Sequence, residues 1–380
     1  MLDSQMLDRD ALFSRLRRRP DIEAPNLVAV DAADRLILDE SAAALSQARE
    51  GAVAVIGDRY GALTLGAAVA HGSTGIRVHQ DLLTGELALA KNADTVGLAD
   101  RYRPCALGRE LLAGVSVVLM QLPRSLSELT EIAEAIARHA DSSVVVYAGG
   151  RDKHISPTMN DVLGRSFGTV RATLGRQKSR VLIASDPLEV SAPTYPVTEH
   201  IAEIGLDVIS HGAAFAGSKL DIGTRYLLKY LPRVNPRART AVDLGCGTGI
   251  LAASLARSLP EVSVIATDQS AAAVASAAAT ARANGFGDRV STLRDDAMST
   301  IETASQDIIL CNPPFHVGAA VHTGVAEKMF AEAGRVLRPG GEMWTVYNSH
   351  LGYRGMLRRL VGPTDVVGRI RKFTVTRSVV

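Results

Sequence analysis

Short apolar runs and longer alanine-rich or amphipathic stretches alternate along the C-terminal half of the chain. Short apolar runs bounded by turn residues are typical of buried strands, and helical patterns between them indicate βα units. This order predicts a parallel sheet with helices on both faces. The predicted strands are Thr240–Leu244, Val262–Thr267, Val290–Leu293, Asp307–Cys311, Glu342–Tyr347 and Lys372–Thr376, and the predicted helices are Thr248–Ser258, Ala271–Asn284 and Val325–Leu337. Residues Val197–His211 alternate well enough to predict a hairpin ahead of this sheet.

The N-terminal half repeats this order, which predicts two copies of one domain. Four segments match in sequence order: Val53–Leu63 with Ala241–Leu251, Val117–Ser125 with Ile308–His316, Val145–Ala148 with Thr345–Asn348, and Lys178–Ser185 with Arg371–Ser378. Between the halves, Asp186–Pro196 contains three prolines and is predicted to be irregular. We therefore predict an α/β fold of two tandem Rossmann-like domains, residues 1–188 and 197–380, joined by a linker at 189–196.

Charge is distributed unevenly although the net charge is only +2. Residues 151–180 hold seven basic and two acidic residues, and residues 354–377 hold seven and one. Such clusters are typical both of nucleic-acid-binding surfaces and of solvated faces, and both interpretations stay open. Hydrophobic residues make up 47% of the chain and charged residues 22%, as in folded domains.

Three further features bear on location and metals. No apolar run reaches about 18 residues, so no membrane span is expected. Met1–Met6 lack a basic stretch followed by an apolar one, so no secretory signal is expected. Cys105, Cys246 and Cys311 are too widely spaced for a paired metal motif, and the histidines show no H-x3-H pairing. We expect a cytoplasmic protein without a metal site.

The segment Asp243–Gly249 ends a predicted strand and begins a predicted helix, the position of nucleotide-binding turns. Its glycines, which would let a ligand approach the backbone and the N–H groups of the helix start, are Gly245, Gly247 and Gly249. Ile250 stands where a dinucleotide motif has its last glycine, which argues against NAD. Asp243 suits an amino-bearing ligand better than a pyrophosphate. The alternative is a plain tight turn.

Acidic residues follow the next two predicted strands. Asp268 lies 23 residues after Gly245, where a carboxylate can accept hydrogen bonds from both hydroxyls of a ribose. Asp296, followed by Ala297, comes after the strand at Val290–Leu293, where an acid could meet an adenine amino group. A helix-capping acid and an ordinary turn are the respective alternatives.

The motif Asn312-Pro313-Pro314-Phe315 follows the apolar strand that ends at Cys311. Proline donates no backbone hydrogen bond, so the side-chain carbonyl of Asn312 and the main-chain carbonyl of Pro313 can accept both protons of an exocyclic amine. Phe315 would stack on the target ring. These residues are the candidate catalytic group, and a proline-rich turn without chemistry is the alternative.

Together these motifs resemble the class I S-adenosylmethionine-dependent methyltransferases that modify amino or amide nitrogens. The stretch His211–Arg225 resembles the leading segment of bacterial ribosomal RNA guanine-N2 methyltransferases, which pair a degenerate N-terminal domain with an active C-terminal one. The resemblance covers nearly the whole chain and implies S-adenosylmethionine as cofactor and ribosomal RNA as substrate, free or within a ribosomal subunit. It implies further cofactor contacts, without support from spacing, at Phe215, Asp221 and Thr224. A monomer is expected.

The N-terminal copy departs from this pattern at each candidate position. Val55 replaces Asp243, Arg59 replaces Gly247, and Gln121–Arg124 replaces Asn-Pro-Pro-Phe. The counterpart of Asp268 is either Gln80 or Asp81. We therefore expect an inactive copy that contacts RNA, with Arg151–Arg180 as the expected surface.

Three other functions stay open. Glutamine-N5 methylation of a protein and adenine-N6 methylation of a nucleic acid use related motifs. Phe315 and the duplicated half argue against the first, because that family usually has a tyrosine after the two prolines and a small helical N-terminal domain. A non-catalytic RNA-binding factor would show decay of both copies, whereas the C-terminal motifs are intact.

Overall fold

The computed structural model describes residues 8–24, 27–314 and 319–380. The chain forms two compact units, Met1–Tyr195 and Pro196–Val380, called unit 1 and unit 2 below. In the part of the chain so described, no helix is long and apolar enough to cross a membrane.

Unit 1 is a mostly parallel sheet between two layers of helices. Its strands are β1 (Val53–Ile56), β2 (Ile76–His79), β3 (Tyr102–Pro104), β4 (Val117–Gln121), β5 (Val145–Arg151), β6 (Phe167–Ala172) and β7 (Ser179–Pro187). Its helices are α1 (Arg9–Arg15), α2 (Ala32–Gln47), α3 (Ala62–His71), α4 (Leu83–Val96), α5 (Arg109–Leu112), α6 (Leu126–His139) and α7 (Pro157–Gly164). The strand order is β3-β2-β1-β4-β5-β7-β6. Strand β7 pairs antiparallel with both β5 and β6, and the remaining pairs are parallel.

Unit 2 repeats this architecture and adds a hairpin. Its strands are β8 (Val197–Ile201), β9 (Leu206–Ser210), β10 (Thr240–Leu244), β11 (Ser263–Asp268), β12 (Val290–Arg294), β13 (Gln306–Cys311), β14 (Leu337–Asn348), β15 (Thr364–Arg369) and β16 (Phe373–Val379). Its helices are α8 (Ile222–Leu228), α9 (Ile250–Ser258), α10 (Ala271–Ala283), α11 (Ala319–Val336) and α12 (Arg354–Leu360). The sheet order is β12-β11-β10-β13-β14-β16-β15, and β8 pairs with β9.

Alternate residues of each central strand serve opposite helical layers, as the two-residue period of a strand requires. In β10, Ala241 packs toward α8, α9 and α10, whereas Val242 and Leu244 pack toward α11 and α12. Unit 1 divides in the same way, with α1 to α4 on one face and α5 to α7 on the other. The prediction of two tandem Rossmann-like domains is therefore confirmed.

Strand register confirms the first two sequence matches between the units. Ile56 pairs with Met120 in unit 1, and Leu244 pairs with Cys311 in unit 2, so Gly57 corresponds to Gly245 and Gln121 to Asn312. The third match was wrong by three residues. Val117 pairs with Val145, whereas its equivalent in unit 2, Ile308, pairs with Glu342. The residue of unit 1 that corresponds to Asn348 is therefore Arg151 and not Ala148. The pairing of Ala148 with Leu182 and of Thr345 with Thr376 shows that the fourth match was wrong by one residue.

Several elements differ from the sequence predictions. Asp186 and Pro187 end β7 rather than belonging to an irregular segment. The edge strand β15 and the short helices α8 and α12 were not predicted. Trp344 and Tyr347 are buried in β14, as expected of core residues, and the Trp344 indole N–H donates to Glu342 at 2.8 Å.

Candidate active site

The candidate residues of unit 2 lie at the carboxyl ends of four adjacent parallel strands. Across the sheet, β12 leads to Asp296, β11 ends at Asp268, β10 leads to Gly245, and β13 leads to Asn312. Neighbouring strands are about 4.8 Å apart, so these residues form a row along one edge of the sheet. The chain reverses its direction of winding between β10 and β13, where open α/β sheets bind their ligands.

The turn after β10 has the conformation that its glycines permit. Gly245, Gly247 and Gly249 have φ values of 75°, 51° and 77°, in the left-handed region that favours glycine. A Cβ on Gly249 would lie 2.9 Å from Ala277, so this glycine is required for close packing against α10. At Gly247 a Cβ would meet nothing within 4 Å. This open space above the turn is where a ligand could approach the backbone.

Asp243 is buried at the end of β10, with 1% of its surface exposed. Its Oδ2 accepts a hydrogen bond from the N–H of Ala252 in α9, at 2.9 Å. Within the described residues its Oδ1 is buried and has no hydrogen-bond partner. Asp243 therefore anchors α9 and keeps one oxygen for a further donor.

Asp243 should make the stability of the ligand-free protein depend on pH. Burial, opposed by the Ala252 hydrogen bond and reinforced by Asp268, raises the pKa of Asp243 from 3.8 to about 7. The folded state therefore binds the proton of the Asp243 carboxyl more tightly than the unfolded chain does. This protonation contributes its full stabilisation of the fold below about pH 4, and the contribution is lost as pH rises through about 7. We expect Asp243→Asn to reduce the loss of unfolding free energy across this range, by up to about 4 kcal/mol at about 1.4 kcal/mol per pKa unit.

Urea unfolding of the wild type and Asp243→Asn at several pH values measures this difference. Asp295→Asn, which changes an acid two strands away after β12, is the control, because the pKa of Asp295 is lowered rather than raised. Parallel stability curves for the wild type and Asp243→Asn would contradict the assignment.

The Asp268 carboxylate connects β11 to the glycine turn. Its Oδ2 accepts from the N–H of Gly247 at 3.2 Å, and its Oδ1 accepts from the N–H of Ser270 at 3.0 Å. Asp268 is only partly buried. It therefore holds the backbone just ahead of α10, whose N-cap is Ser270 rather than Asp268, and it stays the candidate for binding the ribose hydroxyls.

The two adjacent acids after β12 have different surroundings. Asp295 is buried, and burial alone would raise its pKa, but hydrogen bonds from Ser299 and Thr300 outweigh this and lower it. Asp296 forms an ion pair with Lys328 and has 16% of its side chain exposed. Ala297 follows in the left-handed region, with φ of 56°. Asp295 thus holds the turn, and Asp296 and Ala297 are the members of this segment that a ligand could reach.

The amide of Asn312 is held in one orientation. Its Nδ2 donates to Asp221 Oδ1 at 3.2 Å and to Thr224 Oγ1 at 3.1 Å. A carboxylate is only an acceptor, so the nitrogen must face Asp221. No described residue donates to Asn312 Oδ1, which is buried. The side chain therefore offers a hydrogen-bond acceptor whose direction is fixed.

Asp221 also begins α8, since its side chain accepts from the N–H groups of Gly223 and Thr224. Asp221 and Thr224 contact Asn312, a connection that spacing alone could not have predicted. Phe215 lies on the segment ahead of α8 and is 56% exposed. Pro313 is buried. Phe315 lies outside the described residues.

Unit 1 keeps the backbone of this site but not its chemistry. Ile56 pairs with His79 as Leu244 pairs with Thr267, so the counterpart of Asp268 is Gln80 and not Asp81. With its amide oxygen toward the turn, Gln80 accepts from the N–H of Arg59 at 3.0 Å, as Asp268 accepts from Gly247. The turn contact is thus conserved while the carboxylate is replaced.

The counterpart of Asn312 in unit 1 makes an equivalent contact. Gln121 donates to Asp34, the N3 residue of the capping box whose N-cap is Asp31. Asp31 and Asp34 therefore stand where unit 2 has Asp221 and Thr224. Burial, reinforced by Asp31, raises the pKa of Asp34 to about 7. Unit 1 therefore keeps a hydrogen bond between the end of β4 and the start of α2 but lacks the Asn-Pro-Pro-Phe motif.

Family models match both units. Residues 205–377 match the methyltransferase small domain, and residues 5–188 match the RLMG N-terminal domain. The chain is 36% identical over 372 residues to the ribosomal RNA large subunit methyltransferase G of Streptomyces avermitilis, covering 96% of each chain. It is 35% identical over 376 residues to the protein of the same name from Shewanella amazonensis, covering 96% of this chain and 95% of the relative.

Among solved structures, the chain resembles a 16S rRNA N2 methyltransferase from T. thermophilus in complex with AdoMet and guanosine. The TM-score is 0.72 at 23% identity, and the match covers 98% of this chain and 100% of the other. At this level of identity the likeness establishes the tandem fold alone.

Proposed function

Because the chain belongs to the ribosomal RNA large subunit methyltransferase G family, we propose that it methylates the exocyclic N2 amine of a guanine in large-subunit ribosomal RNA. The methyl donor is S-adenosylmethionine. The observation that carries this proposal is the fixed orientation of Asn312: its Nδ2 donates to Asp221 and Thr224, and its buried Oδ1 has no hydrogen-bond partner among the described residues. A directed acceptor of this kind matches an amine that presents two protons.

The residues along the sheet edge fit S-adenosylmethionine. Asp243 Oδ1 is a buried acceptor without a partner among the described residues, which suits an amino group. The open space at Gly247 would admit the ligand close to the backbone. Asp268 would accept hydrogen bonds from the ribose hydroxyls, and Asp296 would accept from the adenine amine. When bound, the cofactor supplies an electrophilic methyl group.

Asn312 and Pro313 act on the nucleophile. The lone pair of guanine N2 is delocalised into the ring, so the amine is a weak nucleophile. Hydrogen bonds from its two protons to Asn312 Oδ1 and the Pro313 carbonyl draw the nitrogen out of planarity and direct its lone pair toward the methyl group. Phe315, which lies outside the described residues, stays the candidate for stacking on the base. Alignment, rather than a strong base, supplies the rate enhancement.

Unit 1 serves RNA recognition in this proposal. It has Val55 in place of Asp243 and Arg59 in place of Gly247, so it binds no cofactor. The protein acts in the cytoplasm as a monomer, on free RNA or an assembling subunit. Gel filtration with light scattering tests the oligomeric state.

Gly223 controls the position of the acceptor group. A Cβ at this position would lie 3.2 Å from Asn312 Oδ1, 3.1 Å from Asp221 Oδ1 and 3.2 Å from Phe373 Cε1. We expect Gly223→Ala to displace the amide and reduce kcat by roughly 10- to 100-fold, because small misplacements of aligned groups are costly. The matched control is Gly355→Ala in α12, where a Cβ meets nothing within 4 Å. Equal kcat values for the two variants would contradict this role.

Nucleoside mapping by mass spectrometry tests the function itself. A strain lacking the gene should lose one N2-methylguanine from large-subunit rRNA and keep those of the small subunit. The wild-type gene should restore the modification, and the gene for Asn312→Ala should not. Loss of a small-subunit modification, or of a methylated adenine, would contradict the proposal.

A further inference from the structure

The carboxyl edge of the unit 1 sheet carries basic side chains where unit 2 has its candidate site. Arg59 follows β1 at the position of Gly247, and Arg124 follows β4 at the position of Phe315. Arg151 ends β5 at the position of Asn348. Lys153 and His154 follow after Asp152, whose carboxylate lies 3.6 Å from Arg180, and all five basic side chains are exposed. We call Arg59, Arg124, Arg151, Lys153 and His154 the cationic edge.

These residues come from three separate strands but form one cluster. Burial, followed by the charges of Arg124, Lys153, Arg151 and Arg59, lowers the pKa of His154. All four cations therefore lie close enough to act on one imidazole. The sequence could not show this, because Arg59 and Arg124 are far along the chain from residues 151–154.

A cleft of about 180 Å³ opens between Arg59 and Arg151 and is also lined by Arg18 and Tyr60. The Arg18 guanidinium stacks on the Tyr60 ring, 4.6 Å from its centroid. Three acids also line the cleft, and each already accepts hydrogen bonds. Asp31 accepts from the N–H groups of Ala33 and Asp34. Asp34 accepts from Gln121 and from the N–H of Asp31, and Asp58 accepts from the N–H groups of Leu63 and Thr64.

Acidic neighbours leave the cationic edge largely available. Arg151 lies 3.7 Å from Asp31, and the Arg151 side chain is 47% exposed. Glu128 is close enough for Arg59 to act on it, but burial, reinforced by Asp81, raises the pKa of Glu128 to about 7 and so reduces its charge. Exposed ion pairs of this kind contribute little free energy, so breaking them to bind a phosphate costs little.

We propose that the cationic edge binds the phosphate backbone of the substrate RNA. The proposal rests on the proposed function and assigns unit 1 a defined phosphate-binding surface. Arginine suits this ligand because its planar guanidinium donates two parallel hydrogen bonds to phosphate oxygens. The edge that binds a cofactor in unit 2 thus binds a polyanion in unit 1.

This surface differs from the continuous stretch Arg151–Arg180 expected from the sequence. Arg176 forms an ion pair with Asp39, and Arg180 lies 3.6 Å from Asp152. The stretch contributes Arg151, Lys153 and His154 to the cationic edge. The other members of the cationic edge, Arg59 and Arg124, come from the turns after β1 and β4.

The test compares two full-length triple variants with the same change in charge. The first carries Arg59→Gln, Arg124→Gln and Arg151→Gln. The control carries Arg49→Gln, Arg109→Gln and Arg138→Gln, three exposed residues that precede β1, β4 and β5 and so belong to the opposite, amino edge of the same sheet. Both variants are measured for thermal unfolding, cofactor binding, methylation, and binding to unmodified large-subunit rRNA at several salt concentrations.

We expect the first variant to bind the RNA roughly 10- to 100-fold more weakly, with a salt slope lower by about one per lost phosphate contact. Its KM for RNA should rise while kcat and cofactor affinity change little. The control should stay within about threefold of the wild type on every measure.

Two results would overturn the proposal. Equal losses of RNA affinity in both variants would mean that diffuse charge, not this edge, attracts the RNA, and unchanged affinity in the first variant would place the contact elsewhere. Failure of the wild-type chain to methylate this rRNA is a separate result, which would contradict the proposed function itself.

Discussion

Asn312→Ala is expected to reduce turnover by about 10²–10³-fold while cofactor affinity stays nearly unchanged, because in the proposed function this side chain acts on the amine that accepts the methyl group. The alanine variant lacks the side-chain oxygen that would accept a hydrogen bond from the guanine amine. That hydrogen bond would act mainly in the transition state, when the amine nitrogen leaves planarity. Asn312 is held by Asp221 and Thr224 and is not needed for the glycine turn, so cofactor affinity is a direct check that the site remains folded.

Single-turnover methylation of rRNA and calorimetric titration of S-adenosylmethionine separate these two quantities. Gln121→Ala is the matched control, since Gln121 occupies the corresponding strand end in unit 1 and makes the corresponding helix contact. We expect the control to methylate at close to the wild-type rate. Near-wild-type turnover of Asn312→Ala would show that the proposed amine geometry is wrong.

Gly247→Arg should abolish cofactor binding, so that the wild type binds one S-adenosylmethionine per chain and the variant binds none. The backbone tolerates arginine at this turn, since Arg59 occupies the same position in unit 1 with a φ of 25°. The arginine side chain would fill the open space that lies above Gly247. The expected loss is therefore local to the ligand and not a consequence of unfolding.

Calorimetry and thermal unfolding distinguish these possibilities, because the variant should unfold at nearly the wild-type temperature without cofactor. Arg59→Gly is the reciprocal control and should leave the stoichiometry at one, since unit 1 also has Val55 and Gln80 in place of Asp243 and Asp268. A stoichiometry of two in the wild type would contradict the interpretation of unit 1 as an inactive copy.

The sequence was sufficient where the determinants are local. Strand β10 has the predicted bounds, Thr240–Leu244, because a short apolar run and the glycines that follow it define both of its ends. The three left-handed glycines were likewise indicated by their spacing. Parallel pairing then brings Asp268 and Asn312 to the same edge, so most of the row of candidate residues could be predicted from strand ends.

Contacts between distant segments could not be predicted in this way. Asn312 meets Asp221 and Thr224 across 91 and 88 residues of chain, and the identity of Gln80 as the counterpart of Asp268 depends on strand register. Strand β15 escaped prediction because Thr364–Arg369 lies at a sheet edge and lacks a clear apolar alternation. The cationic edge could not be predicted for the same reason as the Asn312 contacts, because its residues follow three different strands and come together only when those strands pair.

The hydrogen bond from Asn312 Nδ2 to the Asp221 carboxylate has a consequence for which bases the site admits. An amide that could turn over would accept from an amine or donate to a carbonyl, and so would receive either kind of ring edge. Here the carboxylate forbids the second state, because it would place two oxygens against each other. In the proposed function the site would therefore select bases by hydrogen-bond polarity. It would favour a base edge that donates protons over one that presents a lone pair, so hypoxanthine, which lacks the amine, would gain no hydrogen bond from Asn312.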